Sequence, residues 1–106
     1  MISVVIPSYN RPKALVECLR ALNLQVATLN YEVIVIDDGS QFPLVDSINT
    51  LEFSFPIRLL RQENQGPGAA RNYGVHQAKG DIILFTDDDC RPGKNWVQSM
   101  AEAVKP

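Results

Sequence analysis

Two hydrophobic rhythms alternate along the chain. Short, mostly β-branched runs stand at Ile2-Ser3-Val4-Val5-Ile6, Glu32-Val33-Ile34-Val35-Ile36, Ile57-Arg58-Leu59-Leu60-Arg61 and Ile82-Ile83-Leu84-Phe85. Each is strand-length and reads as a strand. Pro7 is expected to close the first. The third is the most polar, which places it toward a sheet edge. The fourth is apolar throughout, which predicts burial on both faces. It ends at once in Asp87-Asp88-Asp89.

Between the strands the rhythm lengthens. Leu15, Cys18, Leu19 and Leu22 recur at helical spacing, predicting an amphipathic helix of about 13 residues. Asn10 is expected to cap it, with Pro12 in its first turn. Asn23 to Asn30 has no period and reads as a connection. Leu44, Ile48 and Leu51 predict a short second helix. A third is expected from Ala69 to Lys79, with Ala70, Gly74 and Ala78 forming one small-residue face for close packing on the sheet. Gly80 is its expected stop. Val97, Met100 and Val104 mark a last helix ending at Lys105-Pro106. Strand and helix thus alternate four times. That order predicts an α/β fold: a parallel sheet of about four strands, right-handed crossovers and helices on both faces. Ligands of such sheets bind beyond the carboxyl ends of the strands. Pro7 to Asn10, Asp37 to Ser40 and Asp87 to Asp89 all fall there.

Composition narrows the functional classes. At 106 residues the chain is sized for one domain. A net charge of −2 argues against a nucleic-acid partner. Five of the 12 acidic residues lie in Asp37-Asp38 and Asp87-Asp88-Asp89, so the acidity is local. Cys18 falls in the helical stripe and reads as core, while Cys90 reads as surface. Neither belongs to a zinc-type pattern, and a reducing, cytoplasmic setting fits them. No apolar run nears the roughly 20 residues of a membrane span, which leaves any membrane association to a longer parent chain.

The chemistry is concentrated at the strand ends. Three adjacent carboxylates repel one another, and a hard cation such as Mn²⁺ or Mg²⁺ would relieve that. A solvated acidic turn is the plainer reading. Asp38 can accept a hydrogen bond from a base N–H or serve a metal, or simply form a turn before Gly39. Tyr9 offers a ring for stacking, or is a half-buried loop tyrosine. Arg71 can pair with a diphosphate, with the carboxylates, or in a structural ion pair. Asn64, Gly66 and Gly68 can bring backbone close to phosphate, although most such loops are only turns. His76 lies too far along its helix to take part.

Four segments together carry a resemblance: Ser3-Val4-Val5-Ile6-Pro7-Ser8-Tyr9-Asn10-Arg11; Glu32 to Ile36 with Asp37-Asp38-Gly39-Ser40; Asn64-Gln65-Gly66-Pro67-Gly68-Ala69-Ala70-Arg71-Asn72-Tyr73-Gly74; and Gly80-Asp81 with Ile82 to Asp89. In this order and spacing they resemble the N-terminal half of a family 2 glycosyltransferase of GT-A fold. The resemblance implies a Rossmann-like half-domain that binds a nucleotide-diphosphate-sugar, a UDP-sugar in particular. It implies that Pro7 and Tyr9 line the nucleoside pocket, that Asp38 reads uracil through N3–H, and that Arg71 holds the nucleotide. Asp87-Asp88-Asp89 matches the family's DXD motif. It places Asp87 near ribose and metal and Asp89 on Mn²⁺ or Mg²⁺ against the diphosphate, with Asp88 at the variable position of the donor site. Transfer would invert the anomeric centre, with a carboxylate as general base.

No residue after Asp89 suits that base; Glu102 lies deep in the last helix. The chain is therefore expected to be the donor-binding half of a longer enzyme, inactive alone and prone to self-association through the unpartnered edge of its fourth strand. Two further readings remain at this stage: a non-catalytic nucleotide- or metal-binding or interaction module, and a receiver-like phosphoacceptor domain. The receiver wants a strand-end lysine, and Lys94 is poorly placed for it. A nucleotidyltransferase would want a glycine-rich basic loop after the first strand, and none is present.

Overall fold

The computed structural model describes residues 1–26 and 30–104. Its elements run β1 (Ile2–Ser8), α1 (Pro12–Asn23), β2 (Tyr31–Asp37), α2 (Val45–Ile48), β3 (Ile57–Arg61), α3 (Pro67–Gln77), β4 (Ile82–Phe85) and α4 (Trp96–Ala103). The strands form one parallel sheet in the order β3-β2-β1-β4. The chain first builds outward from β1 through β2 to β3, then crosses back to place β4 on the other side of β1. The carboxyl ends of β1 and β4 therefore flank a topological switch point, where open α/β sheets leave a crevice.

Both faces of the sheet are covered. Alternation along β1 sends Val4 and Ile6 to one face and Val5 to the other. On the first face Leu15, Leu19 and Leu22 of α1, Leu44, Ile48 of α2, and Val97 and Ala101 of α4 bury Val4, Ile6, Val33 and Val35. On the second, α3 sets Ala70 against Val5, Ile34 and Ile36. Gly74 brings α3 closer still: a Cβ there would stand 2.4 Å from Val5 Cγ1. The small-residue face of α3 thus packs as expected. Cys18 is buried and Cys90 exposed. Burial, the neighbouring Cys90 and the Asp87–Asp89 carboxylates push the Cys18 thiol up to about 12. It remains a protonated core group, with a weak contact to the Asp87 carbonyl.

Several local expectations are corrected. β1 does not close at Pro7 but runs on to Ser8, paired with β2 throughout. Its register with β4 ends at Val5. The N–H that Pro7 lacks falls on that finished side, so no ladder bond is lost. Asn10 is not a helix cap. It sits at φ 54, accepts from Gln41 N at 2.8 Å and donates its own N–H to Ser40 Oγ. It ties the loop after β1 to the loop after β2, and Arg11 takes the N-cap position without a side-chain capping bond. α3 starts at Pro67 instead of Ala69, because proline needs no N–H at a first helical position. Gly80 is not a left-handed stop, since the positive-φ glycines are Gly39 and Gly66. It is a close approach: a Cβ would lie 2.6 Å from the Met1 carbonyl and 2.8 Å from Ser3 N. β4 is an edge strand, not one buried on both faces; Leu84 is buried and Phe85 is 45% exposed. α4 turns Val97 and Ala101 inward and leaves Met100 exposed. The expected helix end at Lys105-Pro106 and part of the Asn23 to Asn30 connection lie outside the described residues.

Candidate functional site

The site begins with the ends of three strands. β2 finishes at Asp37, and the next residue continues its pairing, with Asp38 N donating to the Ser8 carbonyl at 2.9 Å. β4 finishes at Phe85, and Thr86 N still reaches the Val5 carbonyl. The chain then turns, Cys90 N donating to the Asp87 carbonyl at 3.1 Å. That turn lays the acidic triplet over the end of β1.

Between these ends lies a cleft of about 470 Å³. Pro7, Tyr9, Asp38, Arg71, Asp87, Asp88 and Asp89 all line it, joined by Ser8, Arg11 and Pro67. The seven residues to which the resemblance gives a donor- or metal-site role therefore meet in one place, whereas Asn64, Gly66 and Gly68 do not line it. A second cleft of about 560 Å³ adjoins it on the β4 side, sharing Arg71 and Asp87 and walled by Phe85, Cys90, Arg91 and Trp96.

The two carboxylates after β2 differ in role. Asp37 is buried and braces the loop: Oδ1 accepts from Ser40 N, and Oδ2 from Leu44 N and Arg61 Nη1. Burial alone would raise its pKa; these bonds and the Arg61 charge outweigh burial and hold it below the usual range. Asp38 is also buried, yet it borders the cleft. Its Oδ1 accepts from Gln62 Nε2 at 2.8 Å and Gln65 N at 2.9 Å, and its Oδ2 from Gly66 N at 3.0 Å. Against the pull of burial these donors keep it ionised, with a lowered pKa. Of the loop residues expected to bring backbone to phosphate, Asn64, Gly66 and Gly68, Gly66 instead spends its N–H on Asp38, as does neighbouring Gln65. Gly39 allows this meeting, because a Cβ there would lie 2.7 Å from Asn64 N.

The triplet is not a free acidic turn. Arg71 Nη2 lies 3.0 Å from Asp87 Oδ1. Arg11 Nη1 lies 3.4 Å from Asp88 Oδ1 and 3.5 Å from Asp89 Oδ2. Asp88 is buried, while Asp87 and Asp89 are exposed. One ligand atom each from Asp87, Asp89 and Cys90 falls within 4.8 Å of the others. Two exposed carboxylates so placed are a suitable donor set for a hard divalent cation; the Cys90 thiol is a softer ligand than such a cation prefers. Sequence reasoning left Ser8, Arg11 and Pro67 without a role. The signal of Ser8 and Arg11 was weak, because each gains its place through Asp88 or Asp89, far along the chain.

The sequence matches the profile of glycosyl transferase family 2 over residues 3–106. The chain belongs to this family. A relative in Haemophilus influenzae, an uncharacterized glycosyltransferase, is 41% identical over 90 residues, covering 84% of this chain and 29% of its own length. Staphylococcus aureus TarS residues 1–349, solved with UDP-GlcNAc, superposes with a TM-score of 0.83 at 30% identity, over 95% of this chain and 30% of that one. The Pyrobaculum calidifontis mannosyltransferase PcManGT, solved with GDP-Man and Mn²⁺, gives a TM-score of 0.73 at 25% identity, over 83% of this chain and 27% of that one. The chain thus spans about 30% of the length of these relatives. Its sheet is that of a GT-A domain, and family membership sets aside the receiver-like reading. Among the described residues no helix is long and apolar enough to cross a membrane.

Proposed function

We propose that this chain is the donor-binding half of a metal-dependent, inverting glycosyltransferase, and that its donor is a UDP-sugar. The observation that carries the reading is the cleft at the switch point where Pro7, Tyr9, Asp38, Arg71, Asp87 and Asp89 converge. Pro7 and Tyr9 line the nucleoside. Asp38 accepts the uracil N3–H: a carboxylate offers about four acceptor positions, and the loop takes three. The TarS complex with UDP-GlcNAc supports uracil as the base. Arg71 holds the diphosphate, and Asp88 belongs to the wall of the donor site.

Asp87-Asp88-Asp89 serves as the DXD motif, with Asp87 and Asp89 holding Mn²⁺ or Mg²⁺. The Mn²⁺ in PcManGT supports a divalent cation at such a site. When bound, the cation neutralises charge on the departing diphosphate. The Arg71–Asp87 pair does not bar its entry. Both side chains are substantially exposed, 39% and 57%, and such pairs contribute only about 0–1 kcal/mol. Arg71 is then free to turn to phosphate.

The acceptor site and the carboxylate base belong to the remainder of a longer protein working in the cytoplasm, so the isolated chain binds donor weakly and transfers nothing. It also self-associates through the free edge of β4, beside exposed Phe85. Sedimentation that finds only monomer at high concentration would refute that last point.

The central test is a UDP titration with and without Mn²⁺, on this chain and on Asp89→Ala. Binding that needs Mn²⁺ and disappears in the variant is expected. A folded chain that ignores millimolar UDP would overturn the donor site. Preference for GDP over UDP would overturn the base assignment alone.

A further inference from the structure

Arg11 has two partners of opposite character. Asp88 is 5% exposed and cannot leave, because Ser8 Oγ donates to its Oδ2 at 2.7 Å. Its other oxygen faces Arg11 Nη1 at 3.4 Å. The same nitrogen lies 3.5 Å from Asp89 Oδ2, which is exposed and available to a metal. Arg11 itself is 57% exposed and lines the cleft.

We propose that Arg11 is a diphosphate-binding residue, and that Asp88 is a positioning residue that keeps its guanidinium at the cleft. The inference rests on the donor-site reading above and adds two roles to it. Without metal, Arg11 stands in for the cation beside Asp89. A cation that takes Asp89 displaces Arg11 from that partner only; the buried Asp88 retains it. A guanidinium carries five N–H donors in a planar fork suited to phosphate oxygens. Arg11 commits one nitrogen to Asp88 and Asp89 and keeps the rest for a ligand.

Charge points the same way. Around the triplet, three aspartates face two arginines, a surplus of negative charge that repels diphosphate. A divalent cation reverses the sign. Donor and metal then bind cooperatively, with Arg11 changing partner from carboxylate to phosphate.

The test compares UDP with uridine, which lacks the diphosphate, by saturation-transfer NMR in the presence of Mg²⁺. The proteins are the chain, Arg11→Gln, Arg11→Lys, Asp88→Asn and the double variant Arg11→Gln/Asp88→Asn, with folding checked by circular dichroism. Arg11→Gln is expected to weaken UDP about tenfold, the scale of one charge-assisted contact, and to leave uridine unchanged. Arg11→Lys restores part of the loss. Asp88→Asn weakens UDP in the same sense, and the double variant is no worse than the weaker single, because both act through one guanidinium. Equal loss for UDP and uridine in Arg11→Gln, or no loss, overturns the role of Arg11. Additive losses in the double variant overturn the role of Asp88. Exposed Arg11 keeps the test alive if Asp88→Asn fails to fold. Absence of any UDP binding by the parent chain overturns the donor-site reading itself, a result distinct from a normal parent with an unaffected variant.

Discussion

Asp38 accepts three hydrogen bonds from one loop while bordering the cleft. Its neutral isostere can satisfy only part of this. With its carbonyl toward Gln62 and Gln65, an asparagine sets its amide against the Gly66 N–H, donor facing donor. A buried group left unpaired in this way costs about 1–3 kcal/mol. Asp38→Asn should therefore lower the melting temperature by at least roughly 4 °C, given the shift of about 4–8 °C per kcal/mol for a domain of this size. An unchanged melt would mean that the loop does not depend on this carboxylate. The same residue shows what could be read from sequence. Asp38, Asp87 and Asp89 were legible as cleft residues because the carboxyl end of a parallel strand can be located from local pattern, and that is where such sheets leave a crevice. Arg11 was not, since it looks like any surface arginine until Asp88 and Asp89, far along the chain, arrive beside it. Ser8 is the same case. Local pattern locates a charge but not its partner.

The elements were legible to a greater degree than their edges. Strand and helix alternation follows from residue type and spacing, and both survive folding intact. Burial of β4 did not, because an apolar run reads alike at the centre and at the edge of a sheet; pairing on one side only decides it. The start of α3 was misplaced through reading Gly66-Pro67-Gly68 as turn alone. That helix also offers a sharp contrast between two glycines. At Gly74 an added methyl would meet Val5 Cγ1 at 2.4 Å, whereas at Gly68 nothing lies within 4 Å. Gly74→Ala should destabilise by about 1–3 kcal/mol through overpacking. Gly68→Ala should be neutral, or stabilise by up to about 1 kcal/mol through helix propensity and a less flexible unfolded chain. Urea midpoints of the two variants decide this. Combining Gly74→Ala with Val5→Ala should cost less than the two single changes added together, because the second opens room for the first. Additive losses would locate the strain elsewhere.

At the scale of the molecule, the sheet carries buried carboxylates at both ends. Asp37 and Asp38 lie at the carboxyl end. Glu32 lies toward the other, where its Oε2 accepts from Ser3 Oγ at 2.6 Å and Lys79 N at 2.8 Å, and Oε1 from Arg58. Burial opposes ionisation at all three, and hydrogen bonds with nearby arginine charge overcome it at Glu32 and Asp37, hydrogen bonds alone at Asp38; each ends below its ordinary value of 4.5 for Glu32 or 3.8 for the aspartates. A depressed folded pKa means that the unfolded chain takes up protons first as the pH falls. The stability these groups contribute is thus fully present above their ordinary values and is lost as the pH drops through them toward the lower folded ones. Urea midpoints should stay level with respect to these groups from neutral pH to about 5, then decline steeply below about 4.5. Replacing Glu32 by glutamine should lower stability at neutral pH, because its amide then opposes the Lys79 N–H or Arg58. It should also flatten the acid slope, since one of the titrating groups is gone. If stability instead stayed constant between pH 5 and pH 3, the buried carboxylates would not be what ties the strand ends, and with them the cleft, to the sheet.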